Sequence, residues 1–169
     1  SGVRAVASGF QSIKCGDSKI IIAGGQENMS LAPHAIHLRD GKKLGDAEIT
    51  DTLIKDGLWD AFNGYHMGIT AENVASKFQV TREDQDAFAL RSQDKALKAQ
   101  KENKFKDEII NFKIRSKKTE IDFNMDEHPR DGISMDTLSR LKPVFQKNGT
   151  VTAGNASGIN DGAAAVTLM

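Results

Sequence analysis

Two short apolar runs near the ends of the chain constrain its fold more than anything between them. One is Ile20-Ile21-Ile22-Ala23 and the other is Ala163 to Met169. Neither shows the strict alternation of a strand with one wet face. A continuous apolar run predicts a strand buried on both faces, as in a parallel sheet between helix layers. Before the first run, Val3, Val6, Ala7, Phe10 and Ile13 fall three or four apart, which predicts an amphipathic helix over residues 2–14 with Gly16 as its stop. Gly24 and Gly25 are expected to end the strand that follows. Helix, turn and buried strand make half of a βαβ unit. Two buried strands alone cannot make a stable doubly wound sheet. The expectation is therefore a piece of a larger protein, cut inside its core, whose neighbouring strands lie outside these 169 residues.

The middle of the chain is different. From about Ser30 to Asn148 it is polar and charged, so the ends read as sheet core and the middle as an insertion. Residues 70–78 fit a helix with Val74, Ala75 and Phe78 on one side. Thr81-Arg82-Glu83-Asp84 has the form of a capping box and predicts a long helix to about Glu102. Ile110, Phe112 and Ile114 alternate, as do Ile121 and Phe123. With Arg115-Ser116-Lys117-Lys118 between them they predict a β-hairpin. A short helix from Ser134 is expected to end before Pro143.

Charge and cysteine usage exclude several classes. The 23 basic and 23 acidic side chains cancel, so nothing favours a nucleic acid or an anionic membrane as the main partner. Cys15 is the only cysteine, which rules out an internal disulfide and points to a reducing compartment. No apolar run approaches the roughly 18 residues of a membrane span.

Several motifs invite a chemical reading, each beside a plainer one. His34 and His37 stand three apart, but no spaced cysteine or acidic cluster completes a metal set, so surface histidines are the better reading. Gly41-Lys42-Lys43-Leu44-Gly45 lacks the spacing of a phosphate loop and reads as a basic exposed loop. The acidic residues from Asp46 to Asp56 do not match a calcium loop. Cys15 lies near a helix C-terminus, where the dipole gives a thiolate no help. In Tyr65 to Ala75, His66 and Met67 precede a helix start. They are either a packed loop capped by Thr70 or a ligand wall with a soft Met surface and a titratable imidazole. Thr152 to Asp161 joins permissive glycines to several hydrogen-bonding side chains. It is either an ordinary turn or a loop that lets a ligand approach the main chain.

Four stretches, IIIAGGQENMSLAPH, YHMGITAENVA, REDQDAFALRSQ and TVTAGNASGINDGAAAVTLM, together closely resemble thiolases of the short-chain acetoacetyl-CoA thiolase (acetyl-CoA acetyltransferase) branch. The resemblance runs end to end. It implies an α/β chain: the end of the N-terminal βαβαβαββ half with the inserted α+β loop domain. On this reading residues 1–29 are a helix and buried strand of the first half, 30–148 the loop domain, and 149–169 the return to the core sheet.

The resemblance also implies where chemistry lies. The family nucleophile is a Cys in a Cys-x-Ser-Gly pattern, of which Ser1-Gly2 look like the tail, so the Cys is expected two residues before Ser1. The activating His and second Cys are expected after Met169, which leaves no catalytic residue in this stretch and makes it inactive alone. What remains is the coenzyme A side. His66 and Met67 are expected to line the pantetheine and acyl pocket, and Leu58 to touch the cofactor. Arg130 should lie by the adenine and phosphate end, with Thr137 nearby. Phe145, Ala153, Ser157 and Ile159 should line the pantetheine tunnel, Ser157 hydrogen-bonding an amide. Coenzyme A and acetyl-CoA enter as substrates, with no permanently bound cofactor and no metal. Some members bind potassium through a Tyr near the place of Gln93, so no potassium site is expected. His37 to Asp51 resembles the loop that pairs dimers into tetramers.

The implied activity of the full-length protein is acetyl-CoA C-acetyl transfer, joining two acetyl-CoA into acetoacetyl-CoA or running the reverse thiolysis through an acyl-cysteine. The alternatives are a long-chain 3-ketoacyl-CoA thiolase and a non-catalytic CoA or acyl-lipid binding protein on the same scaffold. The cytoplasm is the expected compartment, with the mitochondrial matrix as the alternative.

Overall fold

The computed structural model describes residues 2–116 and 119–169. The chain divides into two compact units, Ser1–Gly64 with Ile159–Met169, and Tyr65–Gly158.

In the first unit the apolar periodicity folds as expected into helix α1, Gly2–Lys14. It stops at Gly16, whose φ of +83° is a left-handed conformation that costs other residues steric strain. Strand β1, Ile21–Glu27, follows. It does not end at Gly24 and Gly25 but runs through them, because its ladder to strand β8, Gly162–Leu168, continues to the pair Glu27 and Gly162. The pairing is antiparallel, in register Ile21 to Leu168, where the sequence pattern suggested a parallel sheet. A continuous apolar run says how buried a strand can be and carries no signal of direction. Nor is the link from β1 to β8 a single crossover helix that would force them parallel, since more than a hundred residues intervene between Glu27 and Gly162. α1 lies over this pair. Gly9 is buried because a Cβ there would stand 2.9 Å from Leu168 Cδ1 and 3.1 Å from Ile21 Cγ2. The other face is open, with Ile20 65% and Ile22 76% exposed. Ser30, in the 3-10 turn Met29–Leu31, ties the end of the pair by donating its N–H (2.9 Å) and its hydroxyl to the Asp161 carboxylate.

Beyond it, β2 (His34–Ile36) and β3 (Ile49–Asp51) pair antiparallel at the base of the exposed segment 37–48. A π-helical turn, Leu53–Leu58, and strand β4, Trp59–Asp60, complete the unit. None of these short elements has the length or period that would mark it in the sequence.

The second unit opens with β5, Tyr65–His66, and helix α2, Met67–Phe78, which begins three residues before the expected start. Thr70 is therefore inside the helix and is not its cap. α3, Arg82–Lys101, starts at the expected capping box: Asp84 N–H donates to Thr81 Oγ1 (3.1 Å) and Thr81 N–H to Asp84 Oδ2 (3.1 Å). The predicted hairpin is β6, Phe112–Ser116, with β7, Thr119–Phe123, and it pairs Phe112 with Phe123 and Ile114 with Ile121. Its turn residues Lys117 and Lys118, like Ser1, lie outside the described residues. α4, Met135–Ser139, is capped by Ser134 and ends before Pro143. Leu138, Ala75 and Val151 are buried here, and so are Glu72, Asp86 and Thr152. As much of this interior is polar as apolar, which makes its hydrogen bonds decisive.

Candidate functional site

The start of α2 brings three of the sequence-predicted site residues together, His66, Met67 and Phe145. His66 is the N-cap, and its Nδ1 accepts the Gly68 N–H at 2.9 Å. That bond satisfies one of the orphan donors of the first helical turn and leaves the proton of the neutral imidazole on Nε2. The ring stacks on Phe145 with centroids 4.7 Å apart and planes 26° from parallel. Gly68 makes this possible: the Phe145 ring occupies the space that a Cβ would need. Met67, the first helical residue, is 53% exposed beside them. The result is an imidazole held at one tautomer, a flat aromatic wall and a soft thioether, which suits a thin, largely apolar ligand with few polar groups.

Segment 150–157 is built by two carboxylates that the sequence reading passed over. Glu72, on α2, is 5% exposed. Its oxygens accept the N–H of Thr150 (2.8 and 2.9 Å), the N–H of Val151 (2.8 Å) and the hydroxyl of Thr150 (2.9 Å). Burial alone would raise the pKa of this carboxyl, but the N–H groups of Val151 and Thr150 and the Thr150 hydroxyl outweigh it and hold the group below the usual range. Asp86, on α3, is 1% exposed. It accepts Arg82 Nε at 2.7 Å and Asn155 Nδ2 at 2.9 Å. Arg82 in turn donates to the Leu138 and Leu141 carbonyls at the end of α4 (2.7 and 3.1 Å). Asn155 closes the loop on itself, donating to Thr150 O (3.0 Å) and accepting the Thr152 N–H (2.8 Å). These bonds leave Ala153 and Ser157 exposed on a fixed main chain.

The remaining predicted residues are placed as follows. Arg130 is exposed, and its N–H donates to Gln93 Oε1 at 2.9 Å, so the α3 residue expected not to bind potassium instead anchors the Arg130 main chain. Thr137 sits in α4, where its hydroxyl accepts the Ser134 N–H (2.9 Å) and donates to Ser134 O (2.8 Å). Leu58 closes the π-helical turn, half-buried, and Ile159 is 61% exposed; both belong to the first unit. His34 lies 3.8 Å from Asp51 across the β2–β3 pair. Among the described residues no group of three or more His, Cys, Asp or Glu is arranged to hold a metal, and no helix is long and apolar enough to cross a membrane. Cys15 is exposed just after α1.

The profile of the Thiolase, N-terminal domain family matches residues 1–169. The chain belongs to the thiolase family. It is 60% identical over 169 residues to the acetyl-CoA acetyltransferase of Rhizobium meliloti and 58% to that of Shinella zoogloeoides, covering all of this chain and 43% of each relative. Among solved structures, acetyl-CoA acetyltransferase from Syntrophomonas wolfei superposes with a TM-score of 0.92 at 44% identity. Human mitochondrial 3-ketoacyl-CoA thiolase superposes at 0.90 and 40% identity. In each, 99% of this chain matches 42% of that one. The α/β thiolase architecture expected from the motifs is therefore the one the chain adopts. The chain spans less than half the length of the curated relatives it matches.

Residue-level chemistry missed from the sequence centres on Glu72, Asp86 and Asn155. Only Asn155 carried a signal, as one of several hydrogen-bonding side chains in a Gly-rich loop. Glu72 and Asp86 sit in helices whose polar residues look solvated until the packing is known.

Proposed function

We propose that this chain is the coenzyme A-binding part of an acetyl-CoA C-acetyltransferase. The observation that carries the reading is identity of 60% to an acetyl-CoA acetyltransferase along the whole of the chain. In the full-length protein a cysteine thiolate attacks the carbonyl carbon of acetyl-CoA and CoA leaves as the thiol. The α-carbon of a second acetyl-CoA, having given up a proton, then takes the acetyl group and frees the cysteine as acetoacetyl-CoA forms. The reverse sequence is thiolysis. The part played here is binding. His66, Met67 and Phe145 wall the acyl and pantetheine end. Ala153 and Ser157 line the pantetheine path, with Ser157 hydrogen-bonding an amide. Arg130 and Thr137 serve the adenine and phosphate end. The stacked His66–Phe145 pair and the fixed main chain beside Ala153 and Ser157 support this assignment.

The exposed segment between β2 and β3 pairs copies of the protein into a tetramer, as residues 37–51 of the resemblance imply. A reducing compartment, the cytoplasm in the first instance, keeps the nucleophilic thiol free. The division of the chain into an N-terminal-half portion, an inserted loop domain and a return to the sheet belongs to the same proposal.

The test is thiolysis by the full-length protein across a chain-length series of 3-ketoacyl-CoAs, with Ser157→Trp as the site variant. Turnover of acetoacetyl-CoA, and a KM for CoA at least tenfold higher in the variant, are expected, because an indole fills the path that a hydroxymethyl leaves open. Preference for long chains would favour the 3-ketoacyl-CoA thiolase reading. An unchanged KM for CoA would remove Ser157 from the site.

A further inference from the structure

We propose that Glu72 and Asp86 are positioning residues for coenzyme A, two buried carboxylates that set the conformation of segment 150–157 before the ligand arrives. The assignment rests on the reading that Ala153 and Ser157 face the pantetheine chain.

The segment has little reason to hold one shape by itself. It runs between Gly149 and Gly158 with Gly154 inside it, and Ala153, Ala156 and Ser157 are exposed and add no packing. What fixes it is a set of directed bonds from two helices. Glu72 on α2 takes the N–H groups of Thr150 and Val151, and Asp86 on α3 holds Asn155. Asn155 then holds Thr150 O and Thr152 N–H. The Thr152 carbonyl accepts the N–H groups of Asn155 (3.3 Å) and Ala156 (3.0 Å), and Val151 O accepts the Val144 N–H (3.0 Å).

Two carboxylates are a costly way merely to join helices, since apolar side chains of the same size would join them without desolvating charge. Among the described residues Glu72 has no cation within ion-pair distance, and Asp86 has only Arg82. Carboxylate oxygens add direction. Each accepts several N–H groups at set angles, so the main chain on either side is fixed rather than just pressed in place. A loop fixed in the free protein spares the ligand the cost of ordering it.

The contact between Asp86 and Asn155 gives a test that keeps shape constant. Both Asp86 oxygens face N–H donors, Asn155 Nδ2 and Arg82 Nε. The carboxamide of Asp86→Asn has one acceptor oxygen, so one of those donors must face its NH2. Adding Asn155→Asp restores an acceptor opposite that NH2 and keeps one for the Thr152 N–H, at the loss of the bond to Thr150 O.

In the full-length protein, CoA binding by titration calorimetry, kcat, KM for CoA and the melting temperature are measured for wild type, Asp86→Asn and the double variant. Hydrogen exchange is followed on ligand-free wild type. Expected is a dissociation constant and KM for CoA raised about tenfold in Asp86→Asn, the size of one buried hydrogen bond, with kcat within about twofold. The double variant, which still lacks the bond to Thr150 O, recovers part of the affinity, and no recovery at all overturns the assignment. The amides of Thr150, Val151 and Thr152 exchange slowly before CoA is added. A folded Asp86→Asn variant with wild-type affinity for CoA overturns the assignment and leaves the proposed function standing. Rapid exchange at those three amides in the free wild type does the same. A wild type that binds no CoA ends the proposed function and this assignment with it. Glu72→Gln, which keeps the volume and one acceptor oxygen, replaces Asp86→Asn if that variant does not fold, with the same expected direction.

Discussion

Glu72 shows how much a single residue in this chain depends on surroundings that its neighbours in sequence do not reveal. It stands in an ordinary helical stretch, Thr70-Ala71-Glu72-Asn73, where a carboxylate normally faces water. Here it is inside, and burial by itself would raise its pKa. The Val151 and Thr150 donors reverse that and keep the carboxyl below its usual range. The consequence for pH follows from the direction. A carboxyl whose pKa is lower folded than unfolded stabilises the fold fully above its ordinary value, and that stability fades as pH falls through the folded value. We therefore expect the melting temperature of the full-length protein to drop on acidification below about pH 4.5, the ordinary value of the group. Glu72→Gln should be less stable at neutral pH and show a shallower acid limb, because it has no charge to lose. Parallel acid limbs in the two proteins would show that Glu72 is not the group responsible. By contrast His66 and Met67 drew a chemical reading beside a plainer one from the sequence alone, since an imidazole and a thioether at a helix start are unusual enough to be noticed without a structure.

Elements divide by whether their signal is local. α1, α3 and α4 were legible because a helix writes its period and caps into a dozen or so residues: the box at Thr81 falls where the sequence places it, and α4 starts at Ser134 as expected. The β6–β7 hairpin was legible for the same reason. The direction and extent of β1 were not, because both depend on β8 at the far end of the chain. The start of α2 was misread because its cap is a histidine where Ser, Thr, Asp or Asn is usual. That helix start sets two effects against each other. Gly68→Ala replaces the second-worst helix former with the best, a gain of about 1 kcal/mol. It also drives a Cβ into the Phe145 ring, which is held by its stack on His66, and overpacking of this kind costs about 1–3 kcal/mol. Packing should win, with a net loss of about 1 kcal/mol and a melting temperature lowered by a few degrees. A variant more stable than wild type would mean that the Phe145 ring swings aside freely and that the wall beside His66 is not rigid.

At the scale of the whole molecule, the expectation of two strands buried on both faces met a structure in which only one face is covered. α1 lies on one face of β1 and β8, while Ile20 (65%) and Ile22 (76%) on the other are exposed. Among the described residues β1 and β8 pair only with each other. A two-stranded sheet is marginal in water, and its outer edges present unpaired N–H and C=O groups that template association. The apolar residues that are buried, Ala23, Ala75, Leu138 and Val151, are few and mostly small for 169 residues. The 169 residues expressed alone should therefore self-associate rather than give a stable monomer. Light scattering should show particles larger than 18.4 kDa, bound dye should report exposed apolar surface, and heating should give a broad, uncooperative transition. Thiolysis should be undetectable in the same sample, since the chain spans only 43% of the acetyl-CoA acetyltransferases it matches. A monodisperse monomer with a sharp transition would show that α1 and one pair of strands suffice to hold the first unit, and that the apolar face of Ile20 and Ile22 tolerates water.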